Sequence, residues 1–501
     1  MSTSPANPIM SASSRPSPIL DSSLWAERVF DGEWVRARGG GVDVLEPATG
    51  KALTRVGLAN AADVAAAAKA AAEAQPSWVR VPVRDRAEVF HRAAAFLTQH
   101  AEELAAFIAR ETGGTFLKGQ HEVREATAQL KMAAGMILQP EGVVLPSTPG
   151  RLNIARRVPL GVVGVISPFN FPLILSMRSV APALAVGNAV VLKPDTQTPV
   201  TGGFLLALAF QAAGLPRGVL QVVPGDADAG EALCIDPNVQ MIAFTGSTAT
   251  GRRVGELAGK HLKKIALELG GKNSLIILDD ADLDLAAKNV AWGAYLHQGQ
   301  ICMATGRVLV HEKVAAALTQ RLAEKARHLP VGDPARGNVA LGPLINERQR
   351  DRVHSIVTQA IAEGAKLEAG GKFEGLFYSP TVLSAVRPHM RAFREEIFGP
   401  VANIVTFASD DEAVALANDT EYGLSAAVIS RSVGRAMAIA ERLRAGLVHV
   451  NDQTVNDEVT NPFGGTGASG NHTNMGGPAD IGEYTQWRWM TIKDSAPPYP
   501  F

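Results

Sequence analysis

Short apolar segments alternate with helix-like segments from residue 160 to residue 278, and this alternation constrains the fold more than any other feature of the sequence. The apolar segments are residues 160–166, 189–192, 220–223, 241–244 and 274–278. Continuously apolar strands separated by helices are typical of a mainly parallel sheet that is covered on both faces. The crossovers are expected to be right-handed. The sequence therefore predicts an α/β fold with a doubly wound, Rossmann-type sheet, the kind that binds dinucleotides.

The alternation begins again after residue 279, which predicts a second α/β domain. Its strands are expected at residues 308–310, 401–407, 426–430 and 446–451, with a helix at 314–328. Before the first sheet, the pattern predicts helices at 61–73, 84–111 and 122–136. Residues 487–492 alternate like a strand at the end of the chain. Because a lone strand needs a partner edge, we expect it to pair with another subunit.

Composition excludes several classes of protein. The formal net charge is -1, whereas nucleic-acid binders usually carry a basic excess. The only cysteines are Cys234 and Cys302, a number that fits a reducing compartment, and the histidines are scattered without metal-ligand spacing. No segment approaches the roughly 18 apolar residues of a membrane span. Residues 1–20, rich in Ser, Pro and Ala, lack a signal-peptide pattern, so we expect a disordered tail and a cytoplasmic protein.

Two residues in the middle of the chain are candidates for a base and a nucleophile. Glu268 precedes Gly270 and Gly271, where the backbone can approach a ligand closely. Cys302 lies among small residues; a reactive thiolate needs access and a positive potential, which the start of a helix would supply. Taken alone, a cysteine is about as often a small buried hydrophobic residue as a nucleophile.

Three further candidates follow predicted strands. Asn170 lies between two Phe and two Pro residues, where a rigidly held amide can stabilise an oxyanion, although Asn and Pro also favour ordinary turns. Gly246 and Gly251 flank the start of a helix, where backbone N–H groups bind phosphate. Lys193 ends another strand, at the sheet edge where nucleotides bind. A turn and a surface lysine explain the last two equally well when each is taken alone.

Together these motifs resemble the aldehyde dehydrogenase superfamily, from about Phe30 to Ile492. The resemblance includes Glu-Glu-Ile-Phe-Gly-Pro at residues 395–400 and Asn-Pro-Phe-Gly-Gly at 461–465. It implies a Rossmann-type cofactor domain, a second α/β catalytic domain and a small β-element for oligomerisation. The implied division is a tail at 1–20, an NAD(P)-binding domain at 21–138 and 159–270, a catalytic domain at 271–483, and an oligomerisation element at 139–158 and 484–501.

The resemblance also implies a reaction, the oxidation of an aldehyde to a carboxylic acid through a thioester. Cys302 is similar to the family's nucleophile, Glu268 to its general base, and Asn170 to the amide that holds the oxyanion. The implied cofactor-binding residues are Ile166, Ser167, Pro168, Lys193, Asp195, Thr196, Gly225, Gly246, Ser247, Leu269, Glu396 and Phe398. Lys272 falls within a family motif, but the resemblance gives it no chemical role.

Two departures from the family pattern concern cofactor and substrate. Thr196 stands where many NAD-preferring members have Glu, which predicts NAD with some acceptance of NADP, unless Asp195 points inward and restores the preference. Gly467 stands where the family commonly has Lys, and together with the residues around Cys302 this resembles the benzaldehyde and vanillin dehydrogenase branch. An apolar pocket is then expected, lined by Phe171, Met177, Ile301 and Met303.

Other side chains near these motifs are given structural roles. Arg178 is expected to form a salt bridge rather than to meet a ring substituent, His297 to make a structural hydrogen bond, and Cys234 to be buried and inert. The expected partners are a small aldehyde and further copies of the chain, in a homodimer or homotetramer. Three alternatives stay open: a semialdehyde, aliphatic or CoA-acylating dehydrogenase, a cysteine hydrolase or acyltransferase, and a non-catalytic nucleotide-binding protein.

Overall fold

The computed structural model describes residues 20–501, so the tail predicted at 1–20 lies outside the described residues except for Leu20. Asn60 begins the first helix with a capping box. Its side-chain oxygen accepts from the N–H groups of Ala62 and Asp63, and the Asp63 carboxylate accepts from the N–H of Asn60. The helix predicted at 84–111 is in fact two helices that meet at His100. The α-helices are α1 Ala61–Trp78, α2 Val83–Gln99, α3 Ala101–Thr112, α4 Phe116–Met136, α5 Pro172–Ala185, α6 Leu205–Ala212, α7 Ala227–Ile235, α8 Thr248–Lys260, α9 Leu283–Tyr295, α10 Glu312–His328, α11 Glu347–Ala362, α12 Arg391–Arg394, α13 Asp410–Asn418, α14 Val433–Ala440 and α15 Asp480–Glu483.

The first sheet has seven strands, and the first five in its spatial order are parallel. Four of these five were expected from the sequence, whereas the edge strand Lys264–Glu268 was not. In spatial order the strands are Lys264–Glu268, Met241–Thr245, Val162–Ile166, Ala189–Lys193, Leu220–Val222, Arg28–Phe30 and Trp34–Arg36. Alternate residues of one strand enter different cores: Val163 and Val165 pack towards α5 and α6, whereas Val162 and Ile166 pack towards α1 and α7. The sheet is therefore covered on both faces, and the predicted doubly wound α/β fold is confirmed.

The second sheet also has seven strands, and all run parallel except the edge strand Lys366–Ala369, which is antiparallel to its neighbour Thr381–Ser384. Its spatial order is Lys366–Ala369, Thr381–Ser384, Val401–Phe407, Thr305–His311, Asn273–Ile277, Ser425–Ile429 and Leu447–Val450. The apolar run at 274–278, grouped by its pattern with the first sheet, instead forms the inner strand Asn273–Ile277 of the second sheet. The chain therefore passes from an edge of one sheet to the middle of the other within residues 268–273.

A small antiparallel sheet joins Gly142–Leu145, Leu152–Pro159 and Thr485–Ile492. The terminal strand pairs with Leu152–Pro159 along eight residues, so the expectation that its partner edge comes from another subunit is wrong for that edge. Two-stranded pairs complete the fold: Gly41–Leu45 with Ala52–Gly57, Phe373–Glu374 with Phe377–Tyr378, and Tyr422–Gly423 with Thr466–Gly467. Among the described helices, none is long and apolar enough to cross a membrane. The exact division into domains stays a prediction.

Candidate active site

The carboxyl ends of four parallel strands in the first sheet lie side by side and form the floor of the candidate site. The register pairs Ile166 with Lys193, Phe244 with Ile166, and Thr245 with Glu268. In doubly wound sheets, ligands bind at this edge, where the strand order reverses. The order reverses here at the strand Val162–Ile166, whose two neighbours come later in the sequence. Segments predicted separately are therefore brought together by the topology.

Glu268 is the last residue of the edge strand of this sheet and is buried. Neither of its carboxylate oxygens has a hydrogen-bond partner within residues 20–501. Burial raises the pKa of Glu268 well above the ordinary 4.5, while the positive charge of Arg178 opposes the rise. Buried polar groups are normally hydrogen-bonded, because burying an unpaired one destabilises the fold. An unpaired buried carboxyl group therefore indicates a functional site.

Cys302 lies in a turn between a short 3-10 helix, Leu296–Gly299, and the strand Thr305–His311. The expected position at the start of a helix is therefore wrong, and no helix N-terminus lowers its pKa. Burial, together with the carboxylates of Glu396 and Glu268, raises the pKa of the thiol to about 12. A thiol with this pKa is neutral in the free protein. Because the side chain is only partly buried, a substrate can still reach it.

Asn170 connects the first sheet to the turn that carries Cys302. Its side chain is buried, and the amide Nδ2 donates to the carbonyl oxygen of Gln300 at 2.9 Å. On the opposite side, Nδ2 of Asn273 donates to the carbonyl oxygen of Cys302 at 2.8 Å. The turn is thus fixed from both sheets. One N–H of the Asn170 amide remains, because a primary amide has two donors.

An apolar cluster surrounds Cys302 and contains three of the four residues expected in the substrate pocket. Met177, the fourth, is wrong: it is fully buried in the core between α5 and the first sheet and is not part of this cluster. Sequence reasoning missed several members of the cluster, of which Phe463 was signalled by its Pro-Phe-Gly-Gly motif. Its members are Phe171, Leu296, Ile301, Cys302, Met303, Ala304, Leu424, Leu447, Val455 and Phe463.

Arg178 lies against this cluster and forms the expected salt bridge. Its guanidinium is paired with Asp457 and is 4.5 Å from the ring centroid of Phe463. The negative charge of Asp457 raises the pKa of both Glu268 and Cys302, and that of Arg178 lowers both. The pair therefore places opposing charges next to the two reactive groups.

At the other end of the strand edge, Lys193 is almost completely buried and donates to the carbonyl oxygen of Gly225. Asp195 forms no hydrogen bond or salt bridge with this lysine. Its carboxylate accepts from the backbone and side-chain nitrogens of Gln197, at 2.9 and 3.3 Å. The hydroxyl of Thr196 instead lies 3.5 Å from the carboxylate of Asp226. Asp226, which sequence reasoning missed, therefore supplies a carboxylate near the position of the family's usual Glu.

The loop after the strand Met241–Thr245 leads into the N-terminus of α8. Ser247 caps the helix by accepting from the N–H of Thr250 at 3.3 Å. A β-carbon at Gly246 would come within 2.6 Å of the ring of Phe244, so a larger residue there would displace that ring. Ile166 ends the neighbouring strand, Ser167 and Pro168 follow it, and the N–H of Ser167 donates to the carbonyl oxygen of Lys193 at 3.2 Å. This arrangement offers helix N–H groups to an anion.

Glu396 and Phe398 approach from the second sheet. The carboxylate of Glu396 accepts from the N–H of Gly271 at 3.1 Å, and burial raises its pKa to about 7. Phe398 has a positive φ of 57° and lies edge-on to Phe169 at 5.9 Å. The N–H of Leu269 donates to the carbonyl oxygen of Ser469 at 2.9 Å. A buried ammonium, a helix N-terminus and a carboxylate along one edge match the hydroxyl and phosphate groups of NAD.

Comparison with known proteins agrees with this geometry. The aldehyde dehydrogenase family model matches residues 34–490. The chain is 52% identical over 484 residues to the vanillin dehydrogenase of an Amycolatopsis species, covering 96% of this chain and 100% of that protein. It is 50% identical over 479 residues to a benzaldehyde dehydrogenase [NAD(+)] of Pseudomonas putida, covering 95% and 98%.

Among solved structures, betaine aldehyde dehydrogenase from Staphylococcus aureus in complex with NAD+ has a TM-score of 0.93 at 30% identity, over 96% of this chain and 98% of that one. The family match includes every residue assigned above to the candidate site, and both large sheets except the strand Arg28–Phe30. The chain belongs to the aldehyde dehydrogenase family.

Proposed function

We propose that this enzyme oxidises an aromatic aldehyde to the corresponding carboxylic acid with NAD, using Cys302 as nucleophile, Glu268 as general base and Asn170 as oxyanion donor. The observation that carries the proposal is the buried Glu268 carboxyl group, whose two oxygens have no hydrogen-bond partner in the described chain. It lies within electrostatic reach of the Cys302 thiol. A nucleophile and an unoccupied base in one apolar site fit a reaction in which water enters after a covalent step.

In the first step, Sγ of Cys302 forms a bond to the aldehyde carbon as the carbonyl π pair moves to the oxygen, and the thiol proton passes to solvent water, which can reach the partly exposed side chain. The negative charge develops on the carbonyl oxygen, where the free N–H of the Asn170 amide and the backbone N–H of Cys302 can donate. Removing one such donor from an enzyme typically costs about 2.7–4 kcal/mol of transition-state stabilisation. NAD, when bound, accepts the hydride that leaves the former aldehyde carbon.

The acyl group is then held on Cys302 as a thioester. Glu268 takes a proton from a water molecule as the water oxygen attacks the thioester carbon. The carbon–sulfur bond breaks, the acid leaves, and Cys302 recovers its thiol. Burial raises the pKa of Glu268, and a carboxylate with a raised pKa takes a proton from water more readily.

For the cofactor, we propose that Lys193 and Thr196 hold the adenosine ribose, and that Gly246 and Ser247 hold the pyrophosphate at the start of α8. Glu396 would hold the nicotinamide ribose, with Phe398 packing beside the ring. Ile166, Ser167, Pro168, Asp195, Gly225 and Leu269 would shape the groove between them. NAD is the cofactor in the name of the Pseudomonas putida relative and in the Staphylococcus aureus structure.

The aromatic substrate is supported by the residues around Cys302. Phe171 and Phe463 belong to the apolar cluster of the thiol, with Ile301 and Met303 on either side of it in sequence. Flat rings pack well against such aromatic walls. The two similar relatives described above carry vanillin and benzaldehyde in their names. We further propose a cytoplasmic homodimer or homotetramer that assembles through the small sheet.

The test is NADH formation with benzaldehyde, vanillin, a short aliphatic aldehyde and succinic semialdehyde. We expect the aromatic pair to react fastest, and Cys302→Ala to abolish turnover. Cys234→Ala is the matched control: this second cysteine is fully buried and burial raises its pKa to about 11, so activity should be retained. Preference for the aliphatic substrates would overturn the aromatic assignment, whereas turnover by Cys302→Ala would overturn the mechanism. Acyl-CoA formed in place of the acid when CoA is added would identify the acylating alternative.

A further inference from the structure

Two charged side chains that the proposed reaction does not use lie buried below the loop that carries Asn170. Lys118 and Glu122 are one turn apart on α4 and form an ion pair. Both are almost inaccessible to solvent. A buried ion pair is weak evidence for stability, because the cost of removing two charges from water often exceeds their attraction. The further contacts of each partner therefore indicate what the pair does.

Glu122 caps a helix that has no cap of its own. Its Oε2 accepts from the N–H of Leu173 at 3.0 Å and from the N–H of Ile174 at 3.3 Å. These groups belong to the first turn of α5, which begins at Pro172. The preceding residue, Phe171, has no side-chain acceptor, and no local side chain caps this helix. Glu122 therefore satisfies orphan N–H groups and places a negative charge at the positive end of the helix.

Lys118 reaches the adjacent residue of the same loop. Its Nζ lies 4.7 Å from the ring centroid of Phe171 and donates to the hydroxyl of Thr112 at 3.2 Å. The Phe171 ring is also edge-on to His297 at 5.2 Å. Burial, and then the charge of Lys118, hold the pKa of His297 well below its ordinary value, so this imidazole is neutral. Phe171 is therefore held between a cation and an uncharged ring.

We infer that Glu122, with Lys118 as its partner, is a positioning residue that fixes Asn170 for oxyanion stabilisation. Asn170 stands two residues before α5, and Glu122 holds the first N–H groups of that helix. From the other side, the Asn170 amide is held by one bond, to the carbonyl oxygen of Gln300. The inference rests on the proposed role of Asn170. A displacement of about 1 Å at such a donor can cost about 100-fold in rate.

The experiment measures the rate constant of the first NADH burst per titrated active site, with benzaldehyde, in the full-length enzyme. Glu122→Leu removes both accepting oxygens, and we expect a burst about 10- to 100-fold slower. The KM for NAD should not change. The double variant Lys118→Met with Glu122→Gln keeps one accepting oxygen and leaves no unpaired charge. We expect it to recover most of the burst rate, since neutral replacement of a buried pair is tolerated.

The deciding comparison repeats Glu122→Leu in an Asn170→Ala background. If Glu122 acts through Asn170, Glu122→Leu should lower the burst rate of the Asn170→Ala enzyme by no more than about twofold, because the two effects are not independent. An equal loss in both backgrounds, or a normal burst per active site with only a lower melting temperature, would overturn the inference. If Glu122→Leu does not fold, a slow burst in the folded double variant overturns it instead. Full activity of Asn170→Ala would refute the proposed role of Asn170 itself.

Discussion

At the scale of single residues, the ion pair between Arg178 and Asp457 sets the charge beside the reactive groups. Arg178 lowers the pKa of Glu268 and of Cys302, and Asp457 raises both. Arg178→Met should therefore move the acid limb of the pH profile of kcat/KM to higher pH, because each group then loses its proton less readily. Asp457→Asn should move the limb to lower pH. Profiles between pH 5 and pH 10 would contradict this origin of the limb if both variants shifted it in the same direction.

Cofactor choice is also decided by single residues. The carboxylate of Asp226 lies 3.5 Å from the Thr196 hydroxyl and should repel the 2′-phosphate of NADP. Asp226→Asn should raise kcat/KM for NADP relative to NAD about fivefold, the scale of one exposed charge interaction. Asp195→Asn is the matched control and should leave the ratio unchanged, because its carboxylate is turned towards Gln197. A larger effect at Asp195 than at Asp226 would refute this assignment.

At the scale of helices and strands, the sequence predicted what depends on local pattern. Four of the five parallel strands of the first sheet are confirmed, because buried parallel strands form continuous apolar runs, whereas the edge strand Lys264–Glu268 was missed. The three-residue strands Arg28–Phe30 and Trp34–Arg36 were missed, since so few residues show no period. The turn at Cys302 was taken for a helix start, and it is set by contacts with Asn273 and the Asn170 loop. Met177 was misplaced because helix position alone does not say which of two neighbouring cores a side chain enters.

The small sheet supports a prediction at the same scale. Its strands leave large apolar side chains in solvent, with Val144 exposed by 72% and Trp489 by 66%. Apolar surface of this kind marks an interaction site, and the outer edges of the sheet can pair with another copy. Val144→Asp should therefore lower the molar mass measured by light scattering. Ile361 is an exposed residue of α11, and Ile361→Asp is the control, which should leave the molar mass unchanged. An unchanged mass for Val144→Asp would refute assembly through this sheet.

At the scale of the whole molecule, residues 469–471 connect the strand that ends at Glu268 to the second sheet. Oδ1 of Asn471 accepts from the N–H of Leu267, and its Nδ2 donates to the carbonyl oxygen of Ile265, both at 2.9 Å. The hydroxyl of Ser469 accepts from the N–H of Gly423, beside the second sheet. The position of the base relative to Cys302 therefore depends on this segment, because the base and the thiol are attached to different sheets.

Asn471→Ala should weaken that fastening. Two backbone groups lose their partners, which typically costs about 1–3 kcal/mol for each group left buried and unpaired. We expect a lower melting temperature and, since Glu268 acts only when the thioester is hydrolysed, a reduced steady-state rate with a preserved NADH burst. Asn471→Asp keeps the acceptor but not the donor, so its melting temperature and steady-state rate should fall between those of the wild type and those of Asn471→Ala. Loss of the burst in proportion to the steady-state rate would mean that the segment positions Cys302 rather than Glu268.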